Sequence, residues 1–117
     1  MKADRALGPT GEDAAREWYR RRGYRVVARN WRCRLGEIDL VLERGGALVF
    51  CEVKTRREGV FGGGYEAVTW KKRAKLRALA EAFLQVTASH PQAIRFDVAS
   101  VAIRSARSTI EVFEDAF

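Results

Sequence analysis

The sequence predicts a mixed α/β domain, a mixed sheet flanked by helices. Three observations predict it. Residues 10–23 and 69–87 carry apolar side chains at helical spacing. Between them, Glu37–Glu43 and Ala47–Thr55 alternate with the period of two that marks a strand. Gly45-Gly46 separates those two runs, a two-residue turn that tolerates positive φ. The order is therefore helix, three strands, helix and one or two strands.

Thr10 is placed to cap the first helix, with Asp13 three positions on as a variant of the capping box. Ala15, Tyr19 and Arg22 share one stripe, and Glu12 lies at its N-terminal end. Trp18 and Tyr19 supply apolar mass, and Gly23 ends the helix. A short strand is expected near Tyr24–Ala28, then an Arg-bearing turn with Asn30, Trp31, Arg32 and Arg34 that ends at Gly36. In the hairpin, Ile38, Leu40 and Leu42 fall on one face of the first strand, and Val49, Cys51 and Val53 on one face of the second. Residues 58–66 form a loop with Gly59, Gly62, Gly63 and Gly64, without the Gly-Lys-Ser/Thr ending of a phosphate-binding loop. The second helix aligns Lys72, Leu76, Leu79, Ala80 and Phe83, and Pro91 closes that region. A strand over Ile94–Ile103 follows, with Thr109–Phe113 able to pair with it.

The 117 residues, 47% of them hydrophobic, fit one domain over 1–117. Lys and Arg number 22 against 15 Asp and Glu, a net charge of +7, which favours a polyanionic partner. The longest apolar run, Ala47–Cys51, is far too short to span a membrane. Residues after Met1-Lys2 are polar, unlike a signal peptide, so a cytoplasmic protein is expected. Cys33 and Cys51 lack metal or redox spacing and read as free thiols. The lone His90, beyond a helix and before Pro91, argues against histidine-based zinc or triad chemistry.

The hairpin register carries the chemistry. If Gly45-Gly46 is the loop, Arg44 pairs with Ala47, Asp39 lies opposite Glu52, and Glu37 opposite Lys54. All four then share one face. Opposed carboxylates repel and destabilise a sheet unless a cation sits between them. Oxygen ligands at that separation suit Mg²⁺ or Mn²⁺. A lysine beside them could orient a water or neutralise charge on a phosphoryl transition state. A solvated outer face with one Glu–Lys pair is the competing reading. Leu48 and Phe50 share the face of Glu52 and Lys54 and favour a cleft.

The stretches Gly36-Glu37-Ile38-Asp39-Leu40 and Phe50-Cys51-Glu52-Val53-Lys54-Thr55-Arg56 resemble the PD-(D/E)xK superfamily of metal-dependent nucleases. With Gly11-Glu12, Gly23-Tyr24, Asn30 and Arg95-Phe96-Asp97-Val98, the chain more closely resembles the YraN-type family of bacterial endonuclease-like proteins, over roughly residues 8–103. That resemblance implies a restriction-endonuclease-like core, similar to archaeal Holliday-junction resolvases. It implies Asp39 and Glu52 as metal ligands, the Val53 carbonyl as a further ligand, Lys54 as the catalytic lysine, Glu12 as an acidic residue near the metal, and Lys72 as a basic residue at the start of the second helix. Ile38 stands where the motif's name places proline. Glu37 could support Lys54. Related resolvases are dimers, which makes a homodimer through Phe113 and Phe117 conceivable.

Residues 1–36 hold ten Lys or Arg against four acids, and residues 53–80 eight against two. These blocks flank the hairpin, so a basic rim around an acidic pocket is expected, giving salt-sensitive phosphate contacts. Arg29, Arg32, Arg34, Arg56, Lys71 and Lys72 are the candidate nucleic-acid contacts, with Trp31 available for stacking on a base and Trp18 and Trp70 expected to pack. The expected activity is Mg²⁺- or Mn²⁺-dependent hydrolysis of DNA, including branched or structured DNA. The alternative is a non-catalytic nucleic-acid-binding module on the same fold. An amphipathic basic helix for membrane surfaces is poorly supported, because the second helix is basic mainly in its first two turns.

Overall fold

The computed structural model describes residues 10–57 and 69–117. The glycine-rich loop expected over 58–66 lies outside the described residues. The elements are α1 (Gly11–Arg21), β1 (Arg25–Cys33), β2 (Gly36–Arg44), β3 (Ala47–Arg57), α2 (Trp70–Thr87), β4 (Ala93–Arg104) and β5 (Arg107–Phe113). The five strands form one sheet in the order β1-β2-β3-β4-β5. Only β3 and β4 run parallel, and the chain returns between them through α2, the crossover a parallel pair needs. The mixed sheet with a helix on each side is compatible with the restriction-endonuclease-like core.

Local chemistry sets the ends of the elements. Thr10 Oγ1 accepts the Asp13 N–H at 3.0 Å and Asp13 Oδ2 accepts the Thr10 N–H at 3.2 Å, a reciprocal capping box. Gly23, at φ 86°, donates to the Arg20 carbonyl and ends α1. Thr69 Oγ1 caps α2 through the Lys72 N–H, and Ala88 closes it in the left-handed region at φ 52°.

The sheet buries both faces. Tyr19 and Ala15 of α1 pack with Leu40, Leu42, Val49, Cys51 and Ala99. Leu76, Leu79, Ala80 and Phe83 of α2 pack with Ile38, Val41, Leu48, Phe50 and Phe96. A Cβ on Gly11 would overlap Thr55 Oγ1, so the missing side chain lets α1 begin directly against β3. The fully buried Asp97 ties α1 to β4. Its oxygens accept the Tyr19 hydroxyl at 2.6 Å, two Arg95 guanidinium N–H groups at 2.9 Å and the Asp115 N–H at 2.9 Å. Burial raises the Tyr19 hydroxyl far above its usual pKa, and Asp97 adds to the rise, so Tyr19 stays a donor.

Three expectations change. Asn30, Trp31 and Arg32 belong to strand β1, which runs on to Cys33. Asn30 sits at φ 51°, a conformation Asn tolerates, and the register with β2 continues across it; the bulge in β1 lies between Val26 and Ala28. Ile38 packs with the α2 cluster while Leu40 and Leu42 pack with the α1 cluster, so strict alternation breaks across Asp39. Phe117 stacks on Phe96 with ring centroids 5.3 Å apart and so serves the chain's own core. No helix among the described residues is long and apolar enough to cross a membrane.

Candidate metal centre

The β2–β3 hairpin turns at Gly45 (φ 59°) and Gly46 (φ 83°), and Arg44 pairs with Ala47, as the two-glycine loop requires. The register continues to Leu40↔Cys51 and stops. Beyond it, β2 stays with β1 (Ile38↔Trp31, Glu37↔Arg32) and β3 stays with β4 (Glu52↔Val98, Lys54↔Ser100). The sheet thus forks where direct pairing would set Asp39 against Glu52 and Glu37 against Lys54. Asp39 Oδ2 accepts the Val53 N–H at 2.8 Å, so its side chain takes the place of a ladder bond at the crotch of the fork.

Three carboxylates converge there. Glu12 from α1 and Glu37 and Asp39 from β2 each place an oxygen within 4.8 Å of the other two. Asn30 Nδ2 donates to Glu12 Oε1 at 3.0 Å, so the positive-φ residue of β1 aims the carboxylate of α1. Burial first, and then the negative Glu52, Glu12 and Glu37, push the Asp39 pKa up from 3.8 to about 7, against the opposing Val53 N–H. A half-buried, desolvated carboxylate among three others with one N–H donor is an environment a divalent cation would stabilise.

Glu52 stands outside that group of three. It ion-pairs with Lys54, Nζ to Oε2 at 3.5 Å, yet it is the strongest of the negative neighbours acting on Asp39. Lys54 is about four-fifths buried, and Lys72 at the start of α2 reaches it. That close approach of like charges holds the Lys72 pKa below its usual value. A cavity of about 180 Å³ opens beside them, lined by Glu37, Glu52, Lys72, Lys75, Leu76 and Leu79. The structure therefore gathers Glu12, Glu37, Asp39, Glu52, Lys54 and Lys72 from four elements around one fork. It gives Asn30 a positioning place that the sequence did not reveal. Its only signal there is a residue type that accepts positive φ.

The arginines divide. Arg29 is engaged with Asp13 at 3.2 Å and Glu12 at 3.6 Å. Arg32 is exposed and 3.7 Å from Glu37. Arg34, Arg56 and Lys71 are exposed. Trp31 is half-buried with its ring T-shaped to Phe83, and Trp18 is half-buried with Arg22 over its ring. Trp70, expected to pack, is the exposed one.

A model of the uncharacterised protein family UPF0102 matches residues 11–101. A UPF0102 protein of Parafrankia sp. (strain EAN1pec) is 48% identical over 101 residues, 86% of each chain. One from Rhodococcus jostii (strain RHA1) is 42% identical over 118 residues and the full length of both chains. One from Symbiobacterium thermophilum is 50% identical over 97 residues, 83% of this chain and 82% of that one. The matched span contains every residue gathered at the fork.

Proposed function

The chain belongs to the uncharacterised protein family UPF0102, and we propose that it is a divalent-metal-dependent endonuclease hydrolysing phosphodiester bonds in DNA, branched or structured DNA included. One observation carries the proposal: Glu12, Glu37 and Asp39 meet within 4.8 Å at a fork where Glu52 and Lys54 also emerge. Hard oxygen donors of this kind fit Mg²⁺ or Mn²⁺, which Asp39, Glu12 and Glu37 would hold where they converge, with Glu52 and the Val53 carbonyl as the further ligands the resemblance implies. When bound, the ion would polarise the scissile phosphate and acidify a water.

The chain's own residues do the rest. The Val53 N–H fixes the Asp39 rotamer. Asn30 holds Glu12 toward Asp39. Lys54 places a sheltered cation where charge builds on the phosphoryl oxygens, and desolvation strengthens that attraction. Lys72, Lys71, Arg56 and Arg34 offer exposed cations for flanking phosphates. The test is a cleavage assay with the purified protein on duplex, single-stranded, flap and four-way DNA in Mg²⁺ and in Mn²⁺. Cleavage of at least one substrate is expected, lost in Asp39→Asn with DNA binding retained or tightened. Failure to cut any of the four in either metal would sink the proposal.

A further inference from the structure

Trp70 is the first residue of α2 and is 79% exposed, although tryptophan is among the side chains most buried on average. The two other tryptophans show the usual pattern: Trp18 is edge-on to Tyr19 at 5.0 Å and Trp31 edge-on to Phe83 at 5.2 Å. Trp70 lies two residues before Lys72, whose side chain reaches Lys54, so the indole stands at the end of α2 that abuts the fork. The surroundings are cationic. Lys71, Lys72 and Lys75 are exposed, and no acidic residue lies in the first turn. Cations in the first turn repel the positive end of the helix dipole and, here, the cation on β3. A polyanion laid across them relieves both repulsions.

An exposed aromatic face among phosphate-binding cations is what single-stranded nucleic-acid sites use, because every base has a face to stack. Base pairs inside a continuous duplex keep their faces covered, so such a surface is useful only where a base is unpaired. We propose that Trp70 stacks on an unpaired base of the substrate while Lys71 and Lys72 hold adjacent phosphates. The preferred nucleic acid then carries a single-stranded segment or branch next to the cleavage fork. This rests on the nucleic-acid reading of that fork and narrows its substrate class.

The test measures binding in metal-free buffer to three labelled DNAs: a blunt duplex, a flap and a single strand. Trp70→Ala is expected to weaken flap and single-strand binding by about 5- to 100-fold and leave the duplex unchanged. Trp70→Phe keeps a stacking ring and should recover most of the loss. Wild-type tryptophan fluorescence should be quenched by the single strand, and Trp70→Phe should remove that quenching. Equal weakening on all three DNAs, or none on any, overturns the stacking role. Metal-dependent cleavage with Trp70-independent binding defeats this inference alone. Trp70-dependent binding without cleavage in any metal supports it and defeats the nuclease reading alone. No binding to any DNA defeats both.

Discussion

Asp39→Asn should make the metal-free protein more stable while destroying its function. The reasoning runs through linkage. Asp39 has an ordinary pKa of 3.8 and is pushed to about 7 by burial and by Glu52, Glu12 and Glu37. The folded state therefore binds the Asp39 proton more tightly than the unfolded chain does. Below pH 3.8 both states are protonated and there is no penalty. Stability then falls as pH rises through the window from 3.8 to about 7, and the full penalty persists above it. Three pH units at about 1.36 kcal/mol each set an upper bound of about 4 kcal/mol. Partial exposure and salt screening reduce this to about 1–3 kcal/mol. Asparagine keeps an oxygen for the Val53 N–H and turns a donor toward its acidic neighbours, so the penalty disappears without a lost hydrogen bond. At about 4 °C per kcal/mol for a chain of this size, the apparent Tm at pH 8 in EDTA should rise by about 4–12 °C. The gain should fade toward pH 4. Mn²⁺ should then raise the Tm of the wild type and leave Asp39→Asn unmoved. The assay is thermal unfolding followed by circular dichroism across pH. A variant no more stable than wild type at pH 8, or a gain unchanged between pH 4 and 8, would refute the picture of a carboxylate held in its charged form at a cost.

Three further outcomes follow from the same geometry. Apparent Mn²⁺ affinity, read by calorimetry, should fall about tenfold per pH unit below about 7, because the metal must displace the Asp39 proton, and should level off above it. Gly11→Ala drives a methyl into Thr55 and should cost about 1–3 kcal/mol in chemical denaturation. By lifting the start of α1 it should also weaken Mn²⁺ binding through Glu12. Lys54→Ala should lower the single-turnover cleavage rate by about 10²–10³-fold with Mn²⁺ affinity preserved, a split that a merely structural lysine would not give.

Most of the fold is legible because local signals agree with each other. The Thr10 box, the Gly23 stop and the Gly45-Gly46 turn each specify a backbone conformation, and each is realised. The less legible parts depend on residues doing another residue's work. Ser105 and Ala106 make the β4–β5 turn at φ 47° and 67°, so a tight hairpin forms without glycine or asparagine to announce it. Asn30 looks like a turn residue, yet at positive φ it sits within β1, whose register with β2 continues across it. At the site, period-two arithmetic finds the residues but assumes an intact ladder. Pairing stops at Leu40↔Cys51, which spares the carboxylates the repulsion that direct pairing would impose. Nothing in single-strand periodicity encodes a fork, because it arises when β1 and β4 each hold their own partner. Trp70 departs from its expected packing for a similar reason. Trp31 follows the strand into the Phe83 cluster, whereas Trp70 begins a helix whose buried stripe starts later, at Leu76.

Two strand aspartates, Asp97 fully buried and Asp39 half-buried, meet opposite surroundings. Ile38-Asp39-Leu40 and Phe96-Asp97-Val98 look alike in sequence, each an acid between apolar neighbours on a strand. Asp97 accepts from a hydroxyl, a guanidinium and a backbone N–H, so its charge is neutralised and its lone pairs are used. Removing its side chain would strand the buried Tyr19 hydroxyl and leave Arg95 with Tyr24 and Glu114 alone, and should cost about 3–5 kcal/mol in urea unfolding, with no change in metal dependence of the residual folded protein. Asp39 accepts one N–H and faces three carboxylates, so the fold leaves its charge uncompensated. A chain carrying +7 overall has cations to spare, and it has placed Arg95 on Asp97 while Lys54 pairs with Glu52. The uncompensated acid is therefore a feature of placement rather than of composition. On the proposed reading, that uncompensated charge is what a divalent cation at the fork would balance.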